Sequence, residues 1–191
     1  MLIRLFFAGV LAGSFSVGAA ATERKLAVDF PQSKVEVAVK VTVDSFVGRL
    51  ARYEPAITIG DDGRVVAARI SFHFRDVETG KDGRDKSMHA WQQTETFPDG
   101  EFVLSSLESG EGGAYTAFGR LTFHGVSRDL RFPVLITRDG NRYAIDGDAP
   151  VDTREFGLPI IRMFKVLKVD PLVHVRFHLQ GVADAVGRGT Q

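Results

Sequence analysis

The sequence predicts an all-β protein of about eight antiparallel strands with one or two short helices at one end, and three observations carry that expectation. Val35, Val37, Val39, Val41 and Val43 recur at period two, with Lys34, Glu36, Lys40 and Thr42 between most of them, and β-branched residues on one face of an alternating run mark a strand. Tyr115 to Leu135 holds two alternating runs joined at Gly125, the pattern of a hairpin. Turn residues recur between the other apolar runs, as at Asp61-Asp62-Gly63, Glu108 to Gly113 and Arg138-Asp139-Gly140-Asn141. Closure into a barrel removes exposed strand edges, while a β-sandwich fits the same periodicity, so alternation leaves both open.

The first 21 residues read as a secretory signal peptide. Arg4 provides the positive start, Leu5 to Gly18 is apolar, and Ala19-Ala20-Ala21 supplies a small-residue cleavage site. The competing reading is a retained anchor, since Leu5 to Ala21 is about 17 residues, near the lower limit for spanning a bilayer. Residues 22–191 then form a single domain with room for a sizeable core. Lys plus Arg number 24 and Asp plus Glu 24; losing Arg4 leaves 23 against 24, a formal charge of −1. That balance argues against a nucleic-acid partner, which calls for concentrated positive charge. With no Cys, neither disulfides nor thiol chemistry is available. Export and the absence of disulfides point to a periplasmic or secreted protein.

In chain order, Thr22 to Phe30 reads as an edge strand or lead-in ahead of Pro31, and Lys34 to Thr42 as the clearest strand. Phe46, Val47, Leu50 and Tyr53 recur at helical spacing after Asp44 and Ser45, which predicts one or two helical turns across an end of the fold. Glu54 to Ile59 and Val66 to Phe74 are the next strands, the second with Ile70, Phe72 and Phe74 on one face. Asp76 to Trp91 is polar, and a short helix is expected from about Asp85, with Met88 and Trp91 on one side. Thr96 to Gly100 reads as a loop before a strand bearing Phe102 and Leu104. In the hairpin, Tyr115, Ala117, Gly119, Leu121 and Phe123 share a face, as do Leu130, Phe132 and Val134 on the return. Gly119 on an inward face marks a bend or a close approach by backbone or ligand. After Tyr143 and Ile145 come the acidic glycine cluster Asp146-Gly147-Asp148 and the unit Thr153 to Gly157. Leu158 to Val169, interrupted by Pro159, reads as a loop crossing an end. Val173, Val175, Phe177 and Leu179 face inward on the last strand, His174, Arg176 and His178 outward, and the tail after Asp184 is expected to fray.

Catalytic signals are few. No nucleophile elbow, H-E-x-x-H, P-loop or dinucleotide fingerprint occurs. His174 and His178 share a strand face, but four strand steps separate them by about 13 Å, too far for one metal ion. A solvated outer face accounts for them. Asp82, Arg84, Asp85 and Lys86 beside Met88 and Trp91 read either as a solvated helix start or as a polar network pinning a loop, and Arg154 with Glu155 invites the same pair of readings. Of 15 Phe, three (Phe6, Phe7 and Phe15) lie in the leader, leaving twelve. Six of these, Phe72, Phe74, Phe102, Phe123, Phe132 and Phe177, occupy apolar strand faces. They either fill a small core or line a cavity, since an eight-stranded barrel can be wide enough to hold a ligand.

Several motifs carry a family resemblance. Gly119 to Arg128, reading GRLTFHGVSR, follows a G-x-L-T-x-x-G-V-T/S-R/K run; Thr79-Gly80 precedes Arg84-Asp85; and Arg154-x-Phe156-Gly157 forms an R-x-F-G element. In these pieces, spread over Leu26 to Gly181, the chain resembles the YceI-like family of polyisoprenoid-binding proteins. Ser87 and Met88 stand where that family has His and Leu, with His89 one place later, and Trp91-Gln92-Gln93 replaces an apolar pair. The resemblance implies a lipocalin-like antiparallel barrel whose interior holds an isoprenoid, a quinone, a fatty-acid-like chain or another amphipathic lipid, for carriage or storage, with transient membrane contact for loading. No cofactor beyond that lipid is implied. The expected ligand-binding set is Phe72, Phe74, Met88, Trp91, Phe102, Gly119, Leu121, Phe123, Phe132 and Phe177, with Arg84, Asp85, His89 and Arg154 forming a polar mouth. Two rival readings are an enzyme acting on an apolar or quinone-like substrate through His89, Asp85 or Arg84, and an interaction module with a filled core.

Overall fold

A computed structural model describes residues 23–42, 44–163 and 167–184. The expected leader, Thr22, Val43, residues 164–166 of the segment read as a crossing loop, and the tail beyond Asp184 lie outside the described residues. Eleven strands hydrogen-bond into one antiparallel sheet that closes on itself. β1 (Arg24–Val28) and β2 (Lys34–Val39) both run along β13 (Leu172–Ala183): Leu26 faces Ala183, and Ala38 faces His174. They form one wall strand interrupted by a 3-10 turn at Phe30–Gln32, where Pro31 cannot donate to the ladder. β3 (Phe46–Leu50) pairs with β2, and β4 (Glu54–Ile59) with β1; β5 (Val65–His73) pairs with β4, and β6 (Val77–Glu78) with β3. Three of the eight wall strands are therefore each broken once. β7 (Asp99–Ser109), β8 (Ala114–Phe123), β9 (Val126–Asp139) and β10 (Arg142–Asp152) complete the circuit to β13. The fold is the expected eight-stranded lipocalin-like barrel.

The β8–β9 hairpin turns on two residues, His124 and Gly125, with φ of 51° and 70°. Left-handed conformation at both central positions gives a turn whose twist matches the strands it joins. At the end of the barrel bearing the β4–β5 and β9–β10 turns, Leu26, Ile59, Tyr143 and Ala183 are buried, and the Tyr143 hydroxyl donates to the Gly63 carbonyl at 3.0 Å. That end is packed shut. The opposite end carries the only α-helix among the described residues, α1 (Asp82–Gln92), together with residues 40–42, 153–163 and 167–171, which include the small antiparallel pair β11 (Arg162–Met163) and β12 (Leu167–Lys168).

Several local expectations require correction. Residues 46–50 are not helical but form strand β3. Phe46, Gly48 and Leu50 turn inward at period two, and Val47 lies on the outer face, 50% exposed. A glycine in the buried middle position erased the alternation, and the outward Val47 created an apparent helical spacing. α1 begins at Asp82 rather than near Asp85. Asp99 and Gly100 belong to β7 rather than a loop, and Asp146-Gly147-Asp148 lies in the middle of β10, opposite His178, Phe177 and Arg176.

Candidate functional site

Inside the barrel is a cavity of about 930 Å³ that opens at the end bearing α1. Its wall follows from the alternation of β2, β5, β9 and β13, whose inward side chains are Val, Ile, Leu and Phe with Ala68 on β5. The filled-core reading is therefore contradicted: the aromatic residues border a space rather than occupying it. Of the expected ligand-binding set, Phe72, Phe74, Met88, Trp91, Phe102, Leu121, Phe123, Phe132 and Phe177 line this cavity. Gly119 does not. A Cβ there would lie 2.3 Å from the tip of the Phe102 ring and 2.7 Å from the Val103 carbonyl oxygen. The approach expected at this glycine is made by a neighbouring ring and backbone, not by the lumen.

The polar mouth is rearranged relative to expectation. The charged residues on the lining are Asp44, Arg84, Arg162 and Asp170. Arg84 projects from α1 over the Phe46 ring on β3, 4.2 Å from its centroid, a cation–π contact that ties the helix to the facing wall. Asp85 lies off the lining. Its carboxylate accepts from the Thr79 amide at 2.9 Å and the Thr79 hydroxyl at 2.5 Å, fastening the β6–α1 connection. His89 also lies off the lining, edge-on to Phe74 with its Nδ1 3.3 Å from the Thr94 hydroxyl. Arg154 sits outside the mouth at the 3-10 turn Thr153–Phe156. There its Nε donates to Asp152 at 2.9 Å. The Arg154 side-chain hydrogen bond holds the Asp152 carboxyl below the ordinary carboxylate range, against a smaller opposing effect of burial.

Trp91 has two roles in the geometry. It lines the cavity and packs against the cluster of Phe123, Val151, Phe156 and Leu158. Its indole Nε1 donates to the Pro159 carbonyl at 2.8 Å, joining α1 to the segment across the opening. Gln92 beside it is fully buried, donating through Nε2 to the Phe97 carbonyl at 2.9 Å and accepting from the Thr94 hydroxyl at 2.7 Å. Gln93 closes the helix in the left-handed conformation. Sequence reasoning places none of Asp44, Gln92, Arg162 and Asp170 in the site: Asp44 reads as the start of a helical turn, Gln92 as part of the Trp91-Gln92-Gln93 replacement, Arg162 as part of the crossing loop, and Asp170 lies just beyond it.

On the outer wall His174 Nδ1 lies 2.6 Å from Asp148 and His178 Nδ1 2.7 Å from Asp146, so each histidine has its own cross-strand carboxylate. Among the described residues no group of His, Cys, Asp or Glu is placed to hold a metal ion, and no helix is long and apolar enough to cross a membrane.

Residues 26–181 match the YceI-like domain family. The chain belongs to the YceI-like family. Solved structures share its fold. Burkholderia cenocepacia BcnA superposes with a TM-score of 0.73 at 21% identity, covering 82% of this chain and 100% of its own. A polyisoprenoid binding domain from Saccharophagus degradans, implicated in plant cell wall breakdown, gives 0.62 at 16% identity, covering 86% and 100%. The Campylobacter jejuni YceI protein gives 0.64 at 13%, covering 75% and 88%. No curated protein matches the chain. This YceI-like barrel places Arg84 alone, of the three groups considered for acid–base work, on the cavity lining, and a guanidinium does not release its proton at accessible pH.

Proposed function

We propose that this YceI-like protein is an exported binding protein that holds one isoprenoid or similar amphipathic lipid, for carriage or storage, with the apolar chain in the barrel and the polar group at the mouth near Arg84 and Trp91. The observation that carries the reading is the distribution of polarity: an apolar cavity of about 930 Å³, shut at one end, with charged lining residues at the open end. Burying a chain stabilises by about 0.8 kcal/mol per CH₂, so ten carbons supply about 8 kcal/mol without any directed polar contact. A binding site of this kind needs no catalytic group. The binding named for the Saccharophagus domain supports the same assignment for this chain.

On this reading residues 1–21 direct export and are removed, residues 22–191 act as one domain in the periplasm or outside the cell, and the mouth touches a membrane briefly while cargo is exchanged. Isoprenoid alcohols, isoprenoid quinones and fatty-acid-like chains fit the chemistry. The test is native mass spectrometry of protein purified from its own host, followed by organic extraction. We expect a stoichiometric apolar adduct released into solvent. Protein that carries none, and that takes up none after delipidation and exposure to an isoprenoid quinone, overturns the proposal.

A further inference from the structure

Three inward-facing glycines in three different strands are backed by three phenylalanines. Gly100 on β7 stands opposite Phe72 on β5, and Gly147 on β10 stands opposite Phe177 on β13. Gly119 on β8 lies one step diagonally from Phe102 on β7. A Cβ at Gly100 would meet the Phe72 ring tip at 2.2 Å, and one at Gly147 the Phe177 ring tip at 2.3 Å. None of the three glycines has a positive φ, so none is required by its own backbone conformation, and glycine inside a strand weakens it. What each provides is room. With no side chain beneath it, the ring lies flat along the wall of the barrel instead of standing across the lumen. Phe132 follows the same arrangement over Ala117, which is 1% exposed. Its ring joins those of Phe102 and Phe177 at centroid distances of 5.6 and 6.1 Å, making an aromatic arc.

We propose that Gly100, Gly119 and Gly147, by letting Phe72, Phe102 and Phe177 lie flat, set the bore of the cavity and fit it to a methyl-branched chain rather than a straight one. The inference rests on the lipid-holding reading and adds a basis for choosing among chains. A methyl branch widens a chain without lengthening it, so a lumen narrowed by raised rings excludes the branched chain first. Gly100 and Gly147 are the informative positions. The three nearest atoms to an added Cβ are ring carbons in both cases. The ring can swing inward there, and the wall behind it stays in place. At Gly119 the Val103 carbonyl oxygen also obstructs, so substitution there disturbs the strand itself.

The test loads delipidated protein with an equimolar mixture of phytanol and cetyl alcohol, which share a main-chain length and differ in methyl branches, and reads the bound ratio by native mass spectrometry. One methyl too many in an apolar site changes affinity by about 10–200-fold. We expect Gly100→Ala and Gly147→Ala to melt close to wild type while lowering the ratio of branched to straight chain by about tenfold or more. Gly147→Ala combined with Phe177→Leu should restore the ratio toward wild type, because the smaller side chain gives the space back. An unchanged ratio in both single variants, or no recovery in the double variant, overturns the assignment while leaving the lipid reading intact. A Gly147→Ala protein that fails to fold also overturns it, since the ring was required to yield. Wild-type protein that loads neither alcohol removes the lipid reading and this inference together.

Discussion

Replacing Trp91 with Ala tests how the mouth is held. The indole is partly buried, with one side against Phe123, Val151, Phe156 and Leu158 and another bordering the cavity, and its Nε1 donates to the Pro159 carbonyl at 2.8 Å. Truncating a fully buried Trp costs about 3–5 kcal/mol. Here part of the ring already faces open space, so about half of that packing is at stake, and the hydrogen bond adds about 1 kcal/mol. The expected total is about 2.5–3.5 kcal/mol, read as a lower midpoint in urea by circular dichroism, since this is the chain's single Trp and its fluorescence is lost. Trp91→Phe separates the components: it keeps most of the packing, loses the donor, and should cost about 1 kcal/mol. Both variants should release a bound isoprenoid quinone faster than wild type. A loss above about 4 kcal/mol for Trp91→Ala would make Trp91 a core plug. No loss in Trp91→Phe would remove the latch to Pro159, and with it the reason for treating α1 as part of the opening.

Three further outcomes follow from the same geometry. Gly119→Leu should destabilise by about 1–3 kcal/mol through over-packing, because its Cβ meets both the Phe102 ring and the Val103 oxygen; a melt unchanged from wild type would contradict that contact. Asp85→Ala should cost about 1–2 kcal/mol through the loss of two hydrogen bonds donated by Thr79, and hydrogen exchange at the Thr79 amide should speed up; a protected amide would show the connection is fastened elsewhere. Asp152, held below its ordinary range first by the Arg154 side chain, contributes stability that is present above the unfolded carboxylate pKa and lost as pH falls through the folded one, between about pH 5 and pH 2. Arg154→Ala should flatten the melting temperature's dependence on pH in that window and leave lipid uptake unchanged, whereas a loss of uptake would return Arg154 to the mouth.

The legible parts of the fold were those in which one strand carries its own evidence. β2, the β8–β9 hairpin and β13 alternate cleanly, so their inward residues, among them the cavity-lining Val35, Leu121, Phe123, Phe132 and Phe177, could be read from period two alone. β3 could not, because Gly48 occupies a buried position with no side chain and Val47 is an exposed apolar residue. Gly100, read in a loop, and Gly147, read in an acidic cluster, are opaque for a different reason. A glycine that makes room for a ring on the next strand has a meaning only in the cross-strand register, and register is not written in either segment by itself. The mouth was the least legible region: Asp44, Arg84 and Asp170 come together from widely separated stretches of chain. The local charge cluster at residues 82–86 drew attention to Asp85, whose carboxylate turned out to fasten a loop.

These assignments bear on where selectivity resides in the proposed carrier. Chain burial is nearly uniform per methylene and non-directional, so it supplies affinity without discriminating between chains of equal length. Directed contacts at the mouth could discriminate, but much of the polar chemistry there is engaged in building it. Arg84 is stacked on Phe46, and the Trp91 donor is bonded to Pro159. Asp170, on the lining itself, accepts from the Leu172 amide at 3.0 Å. A head group competing for any of these must replace a hydrogen bond or ring contact already made, and the net gain from such an exchange is small. The rings over Gly100, Gly119 and Gly147 face no such competition. Their position depends on the space beneath them and, for Phe102 and Phe177, on the Phe132 ring beside them, and a shift of one ring edge changes which cross-section the lumen accepts. Discrimination by chain shape in the barrel, with tolerance at the head group, is the arrangement these contacts favour.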